Sequence, residues 1–101
     1  MPKSFTIHDL PKEERPRERL IILGEQALSI SELLQLILGR GIAGESVTIT
    51  AQKLLSHFGS LQKLSDASIE ELSSIKGIGP AKSAQIKAVF EISRRVYTQT
   101  P

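Results

Sequence analysis

The stretch Ile75-Lys76-Gly77-Ile78-Gly79-Pro80-Ala81-Lys82-Ser83-Ala84 decides the fold. Two glycines flank one apolar residue, Ile78, and helix-forming sequence lies on both sides. Glycine permits φ > 0 and close backbone approach, so Gly77 and Gly79 predict a turn too tight for other residues. Pro80 suits the first position of the next helix, where a missing N–H costs nothing. The free N–H groups at that helix start, with the positive end of its dipole, predict an anion site. Lys82 stands one turn in and adds a full charge. The residues expected to meet the anion are Lys76, Gly77, Ile78, Gly79, Pro80, Ala81, Lys82 and Ser83.

Working outward, the last helix should run from Pro80 to about Tyr97. Its apolar positions are Ala81, Ala84, Ile86, Ala88, Val89, Phe90, Ile92 and Val96. Ahead of the turn, Ser68-Ile69-Glu70-Glu71 is a capping box that opens a helix reaching about Ser74. Ser60 can cap a short element over Leu61–Ser65, and Gly59 ends a helix expected from Glu45 to His57. Val47-Thr48-Ile49-Thr50 alternates like a strand but continues into Ala51-Gln52-Lys53-Leu54-Leu55, so it reads as helical. Ser29-Ile30-Ser31-Glu32 is another capping box, opening a helix through Leu38 that is apolar on most sides and therefore buried. Gly39-Arg40-Gly41-Ile42-Ala43-Gly44 lacks the Walker pattern and a preceding strand, so it reads as a connector. A first helix fits Pro16 to Leu23, with Gly24 as its stop.

The 101 residues suffice for one small domain. Apolar content of 40% and charged content of 24% belong to a globular chain rather than a disordered one. Aromatics are scarce, so the core must be built from Leu, Ile, Val and Ala. Cysteine is absent, which excludes disulfides and thiolate metal sites and fits a reducing compartment. No apolar run approaches the ~18–20 residues that span a bilayer, and no signal peptide is visible, so no membrane is expected and the default location is cytoplasmic. Net charge is +2 overall, yet between Lys76 and Arg95 five basic residues face one acid, Glu91. Positive charge thus gathers at the turn and the helix after it, as a polyanion partner would favour.

A weak repeat is visible: helix, tight turn, helix at 45–65, and again at 68–97. The first copy, around Phe58-Gly59-Ser60, lacks a second glycine and reads as a degenerate partner. The expectation is an all-α single domain. It has an irregular segment at 1–15, a helical extension at 16–44, the paired helix–turn–helix units at 45–97 and a disordered tail at 98–101.

Leu72, Ile75-Lys76-Gly77-Ile78-Gly79, Lys82 and Ala84 together resemble the helix-hairpin-helix motif of DNA repair and replication proteins. The run from Phe58-Gly59-Ser60-Leu61 through Ala67-Ser68 and the hairpin is similar to the tandem arrangement of UvrC and RuvA proteins. A wider set, Asp9-Leu10-Pro11, Glu14-Arg15-Pro16-Arg17-Glu18-Arg19-Leu20, Ala27-Leu28-Ser29, Glu32-Leu33-Leu34, Phe58-Gly59-Ser60-Leu61 and Ile75 to Lys82, resembles the N-terminal region of the RadC family. That resemblance implies amides of the hairpin on phosphate oxygens of DNA, with Lys82 beside them and Ala84 allowing close helix packing. It also implies a C-terminal domain of the JAB/MPN metalloprotease type outside this chain. His8 and His57 are far apart and carry no metal motif, so no metal and no cofactor are expected here. No paired carboxylates or nucleophile–base set is recognisable, and no catalysis is expected.

The expected function is weak, sequence-independent binding of the DNA backbone. The competing expectation is an adaptor for a protein partner, using the apolar helix at 30–38 and the Arg/Glu stretch, with the hairpin merely structural. Arg15, Arg17 and Arg19 alternate with Glu14 and Glu18, which favours an ion-pair network or an interdomain contact over a DNA site there.

Overall fold

The computed structural model describes residues 10–11, 14–39 and 46–98. Six α-helices make up the described residues: α1 (Pro16–Leu23), α2 (Ile30–Leu38), α3 (Val47–Phe58), α4 (Leu61–Asp66), α5 (Ile69–Ser73) and α6 (Pro80–Thr98). A 3₁₀ turn over Glu25–Ala27 joins α1 to α2. No strand occurs among the described residues, so the all-α expectation holds. The expected connector at 40–44, nearly all of 1–15 and the tail at 99–101 lie outside the described residues.

Serine starts four of the six helices. The hydroxyls of Ser29, Ser46, Ser60 and Ser68 each accept a first-turn N–H, from Glu32, Ile49, Lys63 and Glu71. At Ser29 and Ser68 the box is reciprocal: Glu32 and Glu71 accept the serine N–H at 3.0 Å. These backbone bonds hold both carboxyls below the usual glutamate range. Ser46 explains why α3 begins at Val47 and not at Glu45 as the sequence suggests. The β-branched run at its start is helical because Val47 and Thr50 are buried against the core. Propensity differences of a few tenths of a kcal/mol yield to that burial.

The core is aliphatic. Leu54, Leu64, Leu72 and Ile86 are completely enclosed, and Ile78 joins them from the turn before α6. Helix α2 packs on α3 and on α6, α3 on α4, and α5 on α6. Gln35 is buried on α2 but satisfied: it donates to the Ser31 hydroxyl and accepts from Thr48 Oγ1 at 3.0 Å, tying α2 to α3. Helix α1 is pinned by Arg19, which pairs with Glu32 at 2.8 Å and donates to the Ala27 carbonyl. Of the expected Arg/Glu network, Arg17–Glu18 also forms, while Arg15 donates to the Leu10 carbonyl.

One expectation about α6 needs correction. Ala84 does not sit where α5 and α6 meet; it is exposed. The small residue at that crossing is Ser83, fully buried, with its hydroxyl 2.9 Å from that of Ser73. The apolar positions of α6 divide between core and solvent. Ile86 is buried and Phe90 packs partly against the core, but Ile92 and Val96 are 63% and 65% exposed. Beyond Phe90 no residue of the helix is buried, although Glu91, Ser93 and Arg94 still border a groove with Leu61, Gln62, Ser65 and Asp66 of α4. Within the helix Glu91 accepts from Arg94 at 2.6 Å and from Arg95 at 2.8 Å, which supports its helical conformation there.

Two outcomes follow from this packing. Leu72→Ala, emptying an enclosed site between α5 and its neighbours, should cost about 2–5 kcal/mol in urea denaturation; a loss under about 1 kcal/mol contradicts the assigned core. The Arg94 and Arg95 guanidiniums hold the Glu91 carboxyl down to about 2, against 4.5 for the ordinary group. A folded-state value depressed in this way contributes stability that is complete above the unfolded value and lost as pH falls through the folded one. Far-UV circular dichroism should therefore show helix loss between about pH 4.5 and 2. Glu91→Gln should remove part of that acid transition.

Candidate nucleic-acid interface

The turn between α5 and α6 is built from the inside out. Ile75 and Ile78 are both buried, so the chain must reverse within the few residues between them and α6. The Ile78 N–H donates to the Ile75 carbonyl at 3.0 Å, closing the reversal. Gly77 supplies the conformation this needs, with φ of 96°, a region that side chains with a Cβ rarely adopt.

Gly79 is different. Its φ lies in the ordinary range, and a Cβ built there would meet nothing within 4 Å. The expected need for two glycines to turn the chain therefore holds for Gly77 alone. Gly79 is the N-cap of α6, since its carbonyl accepts the Ser83 N–H at 3.0 Å. At the corresponding position α2 to α5 each place a serine whose hydroxyl takes a first-turn N–H. Gly79 has no side chain to do so, Pro80 has no N–H, and no turn carbonyl takes the N–H of Gly79 or Ala81. The longest helix of the described residues thus presents the Gly79 and Ala81 N–H groups at its positive end without a cap.

The eight residues expected to meet an anion separate into two sets. Gly77, Gly79, Pro80 and Ala81 form the turn and the helix start, with Lys76 exposed on one side and Lys82, half-buried, on the other. Lys82 is also engaged within the domain. Ile78 and Ser83 belong to the interior. The Ile78 N–H closes the turn, and the Ser83 N–H and hydroxyl are taken by Gly79 and Ser73. Both residues support the turn rather than face solvent.

The positive charge between Lys76 and Arg95 divides as well. Arg94 and Arg95 lie about 18–20 Å along α6 from Lys82, at 1.5 Å per residue, and share Glu91. Lys87 reaches back to the Ser65 carbonyl at 3.5 Å. Only Lys76 and Lys82 remain beside the turn. The fold supplies replacements that sequence position conceals. Lys53, Ser56 and His57 of α3 line a shallow groove together with Ser74, Ile75 and Lys76. The i, i+4 spacing of Lys53 and His57 marks a shared helix face, but nothing local says that this face borders the turn. Glu71 counters part of this field; its carboxyl is lowered chiefly by the Ser68 N–H and further by His57 and Lys87.

The surface that the adaptor reading would offer is only partly used internally: Ile30 stays exposed, and so do Ile21, Ile22 and Leu23 of the neighbouring α1. Leu34 and Leu38 of α2 are buried, and Arg19 is bonded to Glu32.

A family model described as UPF0758 N-terminal matches residues 7–84. The chain is 49% identical over 94 residues to a UPF0758 protein of Geobacillus thermodenitrificans, covering 93% of the chain and 42% of that relative. It is 52% identical over 95 residues to one of Nitrosomonas europaea, covering 94% of the chain and 42% of the relative. A UPF0758 protein of Clostridium botulinum is 48% identical over 98 residues, covering 97% of the chain and 43% of the relative. The chain thus spans less than half the length of these relatives. No solved structure matches it.

The two glycines should respond oppositely to substitution. Gly77→Ala forces a Cβ into a left-handed conformation and should cost about 1 kcal/mol or more. Gly79→Ser adds a side chain in open space at an N-cap, where serine outranks glycine slightly. It should leave the thermal midpoint unchanged or raised. A Gly79→Ser variant less stable than Gly77→Ala would contradict this assignment.

Proposed function

The chain belongs to the UPF0758 family, the RadC family of the sequence resemblance, and on that premise we propose that it is a DNA-binding module. In this reading α5, the turn and α6 form a helix-hairpin-helix that holds phosphate oxygens of one strand through backbone N–H groups. The observation that carries it is Gly79, a glycine that neither backbone conformation nor internal packing requires, at a helix start whose donors are left uncapped. A side chain absent for no internal reason leaves room for something from outside, and uncapped amides at a helix N-terminus favour an anion.

Lys82 and Lys76 supply full charges on either side of those amides, and Lys53 extends the basic surface along the groove. Contacts of this kind position a protein on the backbone without reading bases. The binding is therefore independent of sequence and sensitive to salt. One turn and its lysines cover few phosphates, so affinity falls near ~10⁻⁴–10⁻⁶ M. The proposal gives the chain a binding role and no catalytic step, in the cytoplasm. Chemistry, on the resemblance, belongs to a JAB/MPN-type domain in the portion of the relatives that this chain does not span, which the module would bring to DNA in a repair-type protein.

Fluorescence anisotropy with labelled duplex, single-stranded and branched DNA at low and moderate salt tests the proposal. Wild type should bind, with a log K against log salt slope that becomes shallower by about one or more in Lys82→Glu, whose circular dichroism should match wild type. Gly79→Ser, which supplies its own cap, should weaken binding without loss of stability. Equal binding by all three proteins, or none by wild type at low salt, would overturn the reading and return the adaptor to first place.

A further inference from the structure

Helix α6 carries two apolar faces, and only one is used by the described fold. Ile86 and Phe90 point to the core. Val89, Ile92 and Val96, spaced three and four residues apart, form a second stripe on an adjacent face, 38%, 63% and 65% exposed. At 100° per residue these three lie within about 60° of one another. They continue the line of Gln85, whose side chain reaches the Ile37 carbonyl of α2 at 3.4 Å. Glu91, Arg94 and Arg95 occupy the opposite side and pair with one another there.

Single exposed aliphatic residues are ordinary, but a continuous stripe on a helix marks a contact surface. Its place relative to the family boundary says which contact. The match to the N-terminal family model ends at residue 84, early in α6, whereas similarity to full-length relatives covers nearly the whole chain. Those relatives are more than twice as long as the stretch they share with it. The family match thus stops early in α6, the packing of Ile86 and Phe90 carries the unit a turn further, and Ile92 and Val96 lie beyond that packing, towards the portion of the relatives that this chain does not span.

We infer that the Val89–Ile92–Val96 stripe of α6 is the seat of the downstream portion found in the longer UPF0758 proteins, which packs an apolar patch against it. Helix α6 is then a rigid strut shared by two units. Its first turns belong to the hairpin and its last turns to the downstream unit, so the orientation of one unit is fixed relative to the other. The stripe is too short to suit a second copy instead. Three aliphatic side chains fall well below the roughly 800 Å² per partner of a stable interface, whereas a covalently tethered unit needs far less because it associates at high effective concentration.

The test compares the 101-residue chain with the same chain joined in frame to the remaining residues of the Geobacillus thermodenitrificans relative. Amide hydrogen exchange is followed over residues 88–98. Exchange there should be about tenfold slower in the joined protein, in the manner of a segment newly packed. Ile92→Asp with Val96→Asp should return it to the rate of the chain alone, while Arg94→Lys, on the opposite side and with the charge facing Glu91 kept, should leave the protection in place. Equal exchange in the two proteins, with the downstream unit itself protected, overturns the inference. Protection that appears in the 101-residue chain alone as its concentration rises would assign the stripe to a second copy and overturn it as well.

Discussion

Burial of Ile78 is the constraint on which the rest of the hairpin depends. It is 3% exposed and packs into the same cluster as Leu54, Leu64 and Leu72. Removing a branched aliphatic side chain from water is worth about 1.5–3 kcal/mol, enough to hold a tight reversal in place. With Ile75 and Ile78 both drawn inward, Gly77 must take a left-handed conformation and the N-cap of α6 must face outward. The uncapped start of α6 is thus a consequence of core packing.

Polar satisfaction elsewhere makes that start conspicuous. The domain caps its helices with serine hydroxyls at four places, and among the described residues no buried side-chain polar atom lacks a partner. Even Ser83, inside the α5–α6 crossing, shares a hydrogen bond with Ser73. A chain that satisfies its donors so regularly leaves them open at Gly79, where water or a bound anion can take them. Electrostatics follow a similar division. Glu91 neutralises the far end of α6, whereas Lys76 and Lys82 place positive charge at its start.

Some of this organisation is legible along the chain because it is local. Capping boxes, glycine stops and Pro80 at a helix start act over three or four residues, so Ser29, Ser68, Gly59 and Pro80 announce their roles without tertiary context. Helix boundaries accordingly fall within a few residues of expectation, the main shift being at Ser46, whose cap displaces the start of α3. The family is legible for the same reason: its motifs are short and contiguous.

The sequence by itself determined the helical class, the cap positions and the place of the turn, because hydrogen bonding and glycine conformation are settled between near neighbours. Only the tertiary structure decided which small residue lies at the α5–α6 crossing, Ser83 and not Ala84. It also decided that Gly77 is needed for the turn while Gly79 is not, and that Lys53 and His57 border Lys76. It divided the apolar residues of α6 into a core face and an outward stripe. These outcomes depend on the angle at which helices cross and on which faces then meet. Periodicity shows that a face exists, but its partner is chosen by packing between segments far apart in the chain.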